Sequence, residues 1–114
     1  MDNVVADKSK NFAIRIIKFY KYLCDEKKEF VLSKQILRSG TSIGANIRES
    51  KNAQSKADFI SKMNIALKEA DETAYWMELL WESEILEKSQ VIDLYKLNTE
   101  LIKLLTAIIK SSKK

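Results

Sequence analysis

Across 114 residues the chain has no proline and only two glycines, Gly40 and Gly44, and that scarcity constrains the fold more than any single motif in it. Multi-turn β-sandwiches and barrels reverse their chains on glycine and proline. A chain nearly without either is directed towards helices joined by short connections. The length supports one modest hydrophobic core and rarely two, so a single soluble domain over 1–114 is expected.

Hydrophobic periodicity divides the chain into four predicted helices, over about 7–25, 33–53, 56–84 and 89–110. The first carries Phe12, Ile16, Phe19, Tyr20 and Leu23, with Asp7 or Ser9 as its cap. A second face of the same helix reads Lys8, Asn11, Arg15, Lys18 and Tyr22. The run Asp25 to Glu29 breaks the pattern and reads as a connection. The second helix carries Ile36, Gly40, Ile43 and Ile47. A mid-helix glycine costs about 0.5–1 kcal/mol relative to alanine, so two of them point to close backbone approach. A loop that cradles phosphate is the competing reading of Ser39 to Ala45, but Gly44 is followed by Ala45 and Asn46 rather than by the Lys-Ser/Thr of a P-loop.

Ser55 and Asp58 have capping-box spacing at the head of the third helix. Its stripe Phe59, Met63, Ala66, Ala70, Thr73, Met77 and Leu80 steps alternately by four and three, as a bundle helix does. Tyr75, Trp76, Leu79 and Trp81 lie outside that stripe and are expected at an oligomer interface. The fourth helix, capped at Ser89, carries Leu94, Leu97, Leu101, Leu105 and Ile108. Short connections imply an all-α, antiparallel up-down-up-down four-helix bundle.

Composition removes most chemistry. There is no histidine and one cysteine, Cys24, which excludes intrachain disulfides, Cys-rich zinc sites and His-containing di-iron motifs. No cofactor or metal is expected. Glu69 and Glu72, spaced i, i+3, can form a carboxylate cluster with Glu49, which keeps a carboxylate-based enzyme as a distant third reading. The lone thiol implies a reducing cytoplasm. The start of the chain has no secretory pattern, and no apolar run reaches the length of a membrane span.

Charge is uneven. Residues 1–57 hold 12 basic and 6 acidic side chains, a balance of +6, against −2 for the remainder. Lys8, Arg15, Lys18, Lys34, Arg38, Arg48 and Lys51 are the candidate phosphate contacts. With 17 lysines among the 20 cations, base-specific reading by arginine forks is disfavoured. Arg38 and Arg48 have an alternative structural role as forks onto Glu69 or Glu72. Tyr75, Trp76 and Trp81 can stack on single-stranded bases, but their acidic surroundings repel nucleic acid.

The run Gln35 to Ser50 (QILRSGTSIGANIRES), with Asp58 to Lys62 (DFISK) and Ala66 to Trp76 (ALKEADETAYW), resembles the bacterial four-helix-bundle family of 23S rRNA-intervening-sequence proteins. The resemblance covers nearly the whole chain. It implies an antiparallel bundle with the RSGTSIGANI segment helical, assembled as a homopentamer. A related branch, the accessory variability protein of diversity-generating retroelements, is a basic pentameric barrel that binds nucleic acid and a reverse transcriptase. Arg38, Ser42, Asn46, Glu49, Glu69, Glu72, Tyr75 and Trp76 match positions of the family motif as structural polar or aromatic residues. Arg48 and Ser50 depart from the NIAEA that is typical there. The leading expectation is a non-enzymatic, oligomeric bundle that binds RNA or DNA through phosphates as an accessory to a ribonucleoprotein or reverse-transcriptase-like partner. The alternative is a protein-interaction scaffold without nucleic acid.

Overall fold

A computed structural model describes residues 3–114, which form four α-helices and no strand. They are α1 (Asn3–Asp25), α2 (Leu32–Ser50), α3 (Lys56–Glu82) and α4 (Ile92–Ser112), with a 3-10 turn at Lys88–Gln90 before α4. The chain measures 44 × 20 × 19 Å. At 1.5 Å per residue α3 alone runs about 40 Å, so the helices lie along the long axis. The connections are too short to run back along it, and successive helices are antiparallel. Helix α1 packs on α2 and α4, and α3 packs on the same two, so α1 and α3 are diagonal. The α1/α4 seam is the thinnest of the four.

Each helix buries one stripe. On α1 this is Val5, Ser9, Phe12, Ile16, Phe19 and Leu23, in steps of four and three. Among the described residues helix α1 begins at Asn3, and neither Asp7 nor Ser9 caps it. Ser9 is a buried mid-helix residue whose hydroxyl donates to the Ala6 carbonyl at 3.0 Å. Helix α2 starts at Leu32 because the Glu29 carboxylate accepts from the amides of Val31, Leu32 and Ser33 at 3.2, 3.1 and 2.7 Å. These are orphan donors of the first turn. It ends at Ser50, three residues before the expected boundary at 53.

Helix α3 is capped as its sequence implies. Ser55 Oγ accepts from the Asp58 amide at 3.0 Å, while the Asp58 carboxylate accepts from the Gln54 amide at 3.2 Å. Its buried stripe is Met63, Ala66, Ala70, Thr73, Met77 and Leu80, with Phe59 half-buried. Ser89 does not cap α4. It lies in the 3-10 turn, which Glu87 and Gln90 close reciprocally, the Glu87 amide donating to Gln90 Oε1 at 2.9 Å. Helix α4 then runs from Ile92, and its buried side is Leu94, Asn98, Leu101, Leu105 and Ile109 rather than a stripe through Leu97 and Ile108.

Both glycines are helical and face α1. A Cβ on Gly40 would stand 2.9 Å from Cγ1 and Cγ2 of Ile16, and one on Gly44 3.4 Å from the Ser9 carbonyl oxygen. Their missing side chains let α1 and α2 close on each other. Two buried polar contacts join the other seams: Thr73 and Ser39 hydroxyls at 2.8 Å between α3 and α2, and Asn98 Nδ2 donating to the Ala70 carbonyl at 2.9 Å between α4 and α3.

Candidate nucleic-acid interface

The cations singled out from the sequence do not form one patch. Helical geometry divides them among three faces.

Lys8, Arg15 and Lys18 point from α1 towards α4. Lys8 Nζ pairs with Glu100 at 3.1 Å. Arg15 shares one part of the seam with Lys8 and Glu100, and another with Lys18 and Asp93. This side is of mixed sign. Tyr22, on the same face of α1, accepts from Gln90 Nε2 at 3.0 Å and ties α1 to the turn before α4.

Arg38 lies on the α2/α3 face. Its Nη1 donates to Glu69 Oε1 at 3.3 Å and its Nη2 to Glu72 Oε2, which also accepts from Trp76 Nε1 at 3.0 Å. The Arg38 side chain is half-exposed while Glu69 is 19% exposed, so the pair screens the more buried carboxylate. The other residues of the resemblance share this face. Ser42 Oγ donates to the Arg38 carbonyl at 2.6 Å, Asn46 Nδ2 to the Ser42 carbonyl at 2.9 Å, and Glu49 pairs with Lys62 at 3.1 Å. Lys62 is seven residues from Glu69, about 10 Å along the helix, so Glu49 does not join Glu69 and Glu72 in one carboxylate cluster. Among the described residues no group of three His, Cys, Asp or Glu side chains is arranged to hold a metal ion.

Arg48 does not fork onto a carboxylate. It is exposed and turned to α1, where it lines a groove of about 410 Å³ with Lys10, Lys51 and Asp7. Ala6, Ala13, Thr41, Gly44 and Ala45 line the rest. The groove exists because small residues meet across the α1/α2 seam. Ala6, Lys10 and Ala13 follow steps of four and three on α1, and Gly44 lets α2 approach the Ser9 backbone. Lys34 precedes Thr41 and Arg48 by seven and fourteen residues, which puts it in register on the same side of α2. Among the described residues Lys10, Lys34, Arg48 and Lys51 make no ion pair. Lys10 lies outside the basic row Lys8, Arg15 and Lys18 that stands out on α1 in the sequence. Its signal was its position between Ala6 and Ala13, opposite the Gly44-Ala45 pair.

The aromatic residues lie elsewhere. Trp81 packs edge-on against Tyr95, centroids 5.0 Å apart, with Lys88 Nζ 5.4 Å from the Trp81 ring centroid. Its ring is half-buried within its own chain. Tyr95 donates to Glu78 Oε2 at 2.7 Å, and that bond, with burial, holds the phenol pKa above its ordinary value. Tyr75 and Trp76 make an edge contact at 5.2 Å, but Tyr75 is 54% exposed. No helix among the described residues is long and apolar enough to cross a membrane.

A family model described as 23S rRNA-intervening sequence protein matches residues 1–107. A crystal structure from Bacteroides thetaiotaomicron, described as a protein with unknown function from the S23 ribosomal protein family, is 61% identical. It superposes with a TM-score of 0.91 over 93% of this chain and 98% of that one. No curated protein matches.

Proposed function

Since the chain belongs to the 23S rRNA-intervening sequence protein family, we propose that it is a non-enzymatic, oligomeric bundle that holds RNA or DNA by the phosphate backbone. Its role is that of a cytoplasmic accessory to a ribonucleoprotein or reverse-transcriptase-like partner. One observation carries this reading: the α1/α2 groove gathers Lys10, Arg48 and Lys51 around small residues, with Asp7 as the one acid of its lining. Cations without protein partners are free to replace counterions on a phosphate backbone. The other two faces are less suited, because Lys8 and Arg38 are engaged by Glu100, Glu69 and Glu72. The groove has no aromatic side chain to stack on a base, so binding is expected to be indifferent to sequence.

The test is a titration of labelled structured RNA at several salt concentrations. Binding by the wild type should weaken steeply with salt, and Arg48→Glu with Lys51→Glu should lower affinity for all sequences alike and flatten the salt dependence. Arg15→Glu with Lys18→Glu should have the smaller effect. Loss confined to the Arg15/Lys18 variant would move the interface to the α1/α4 seam. No wild-type binding at low salt would put the scaffold reading first. The observation favouring that second reading is the connection before α2, where Phe30 and Val31 are 53% and 71% exposed.

A further inference from the structure

Two rows of side chains, one exposed and one partly exposed, have complementary patterns and stand on opposite sides of the bundle. On α1, Lys10, Ile14, Ile17 and Lys21 follow steps of four, three and four. All four are exposed, Ile14 at 44% and Ile17 at 40%. On α3, Glu72, Tyr75, Leu79 and Glu82 follow steps of three, four and three. Tyr75 and Glu82 are exposed, Leu79 is half-buried without packing on the core, and Glu72 is half-buried and bonded to Arg38 and Trp76. Each row has the spacing of a helix-pairing seam: an apolar pair bracketed by charges, lysines on one helix and glutamates on the other.

The surroundings extend the contrast. From Lys8 to Cys24 there are five cations and no acid, and from Glu69 to Glu82 five acids and no cation. The two rows cannot meet within one chain, because α1 and α3 are diagonal and separated by α2 and α4. They can meet between chains.

We infer that the outer face of α1 docks on the outer face of α3 of a second copy, Lys21 against Glu82 and Ile14 and Ile17 against Tyr75 and Leu79, while Lys10 stays at the α1/α2 groove and Glu72 with Arg38. This rests on the homo-oligomeric reading above and names its surface. The occupant is a second copy because the chain itself carries the complement in charge, in apolar content and in helical step. Because α1 and α3 run the same way within a chain, a ring closed about an axis along the helices sets them parallel, with Lys21 against Glu82. Different faces meet, so the contact is heterologous: each copy keeps one free face of each kind until a ring closes. Burying two apolar pairs while opposite charges meet at one end favours association, and any other register sets apolar side chains against charges.

Sedimentation equilibrium at micromolar concentration tests this with Lys21→Glu and Glu82→Lys. Neither residue has an ion pair within its own chain among the described residues, so both variants should keep wild-type helicity by circular dichroism. Each reversal sets like charges face to face and should weaken self-association about tenfold or more. The double variant, Lys21→Glu with Glu82→Lys, should restore it, and mixing the two single variants should produce mixed assemblies. Ile17→Glu should dissociate the assembly irrespective of the lysine-glutamate pair. A wild type found only at 13.2 kDa would remove the oligomeric reading and this surface with it. A wild-type oligomer insensitive to Lys21→Glu and Ile17→Glu would leave the oligomer standing and overturn the surface. Failure of the double variant to reassociate would overturn the pairing of Lys21 with Glu82.

Discussion

Replacing Gly40 by alanine sets two effects of similar size against each other, and the geometry decides between them. Alanine is favoured over glycine in a helix interior by about 1 kcal/mol. The new Cβ, however, would lie 2.9 Å from both Cγ1 and Cγ2 of Ile16 and 3.2 Å from its Cδ1, where carbon atoms normally rest about 3.5–4.0 Å apart. Cγ1 and Cγ2 are attached directly to the branched Cβ, whose χ1 is nearly fixed in a helix, so they cannot swing aside. Relief requires α1 and α2 to separate, and overpacking of this kind costs about 1–3 kcal/mol. The net expectation for Gly40→Ala is a loss of about 1 kcal/mol, or about 4 °C in midpoint for a domain of this size.

Gly44→Ala is the internal control. Its Cβ would meet Ser9 Oγ at 3.3 Å and the Ser9 carbonyl oxygen at 3.4 Å, tight but without a true overlap. Helix propensity should then prevail, with a gain of about 0.5 kcal/mol. Urea denaturation of both variants at one fixed chain concentration reads the difference. Ile16→Ala supplies the mechanism check: it should cost at least about 1 kcal/mol less in the Gly40→Ala background than in the wild type. Gly40→Ala that stabilises as much as Gly44→Ala, or additive behaviour with Ile16→Ala, would refute the close-approach argument.

Asn98 is fully buried, and among the described residues its Oδ1 has no hydrogen-bond partner, so Asn98→Leu should be neutral or stabilise by up to about 1 kcal/mol in thermal unfolding. Asn98→Asp, which buries a charge at that site, should be strongly destabilising. Arg38→Ala leaves the mostly buried Glu69 without its cation and should cost about 1 kcal/mol in urea, whereas Arg48→Ala, at an exposed position with no carboxylate partner, should stay within about 0.5 kcal/mol. Tyr95 has a raised pKa in the folded state, so its contribution is fully present below the unfolded value near pH 10 and is lost as pH rises towards the folded one. Tyr95→Phe should remove that alkaline fall in thermal midpoint and should cost about 1 kcal/mol at neutral pH.

Much of the fold is legible in the apolar periodicity, and the misreadings share one physical origin. Periodicity reports which side of a helix is buried, not which neighbour it meets or how its polar members are satisfied. Arg38 and Arg48 look equivalent in sequence, but ten residues at 100° each leave them about 80° apart around the helix, one facing α3 and the other α1. Asn98 has no signature in the apolar periodicity of α4, because its place in the core depends on the Ala70 carbonyl of another helix. Ser9 looked like a cap because a buried serine opposite Gly44 has no local signature. Glu29 sits in a charged connection whose sequence does not reveal that its carboxylate takes three helix amides. By contrast, the α3 stripe and the Ser55 cap depend on local spacing alone, and there the reading and the structure agree.

Thr41, the one hydroxyl lining the α1/α2 groove, donates inward to the Leu37 carbonyl at 2.7 Å. Its neighbours on the floor are alanine and glycine, which have nothing to offer a nucleobase edge. Such a surface weighs charge and width but carries no alphabet: every polyanion of suitable shape looks alike to it. Were RNA the ligand, as proposed above, discrimination among transcripts would have to come from a partner that delivers the bundle to them, and exchanging that partner would redirect the same groove without altering one of its residues.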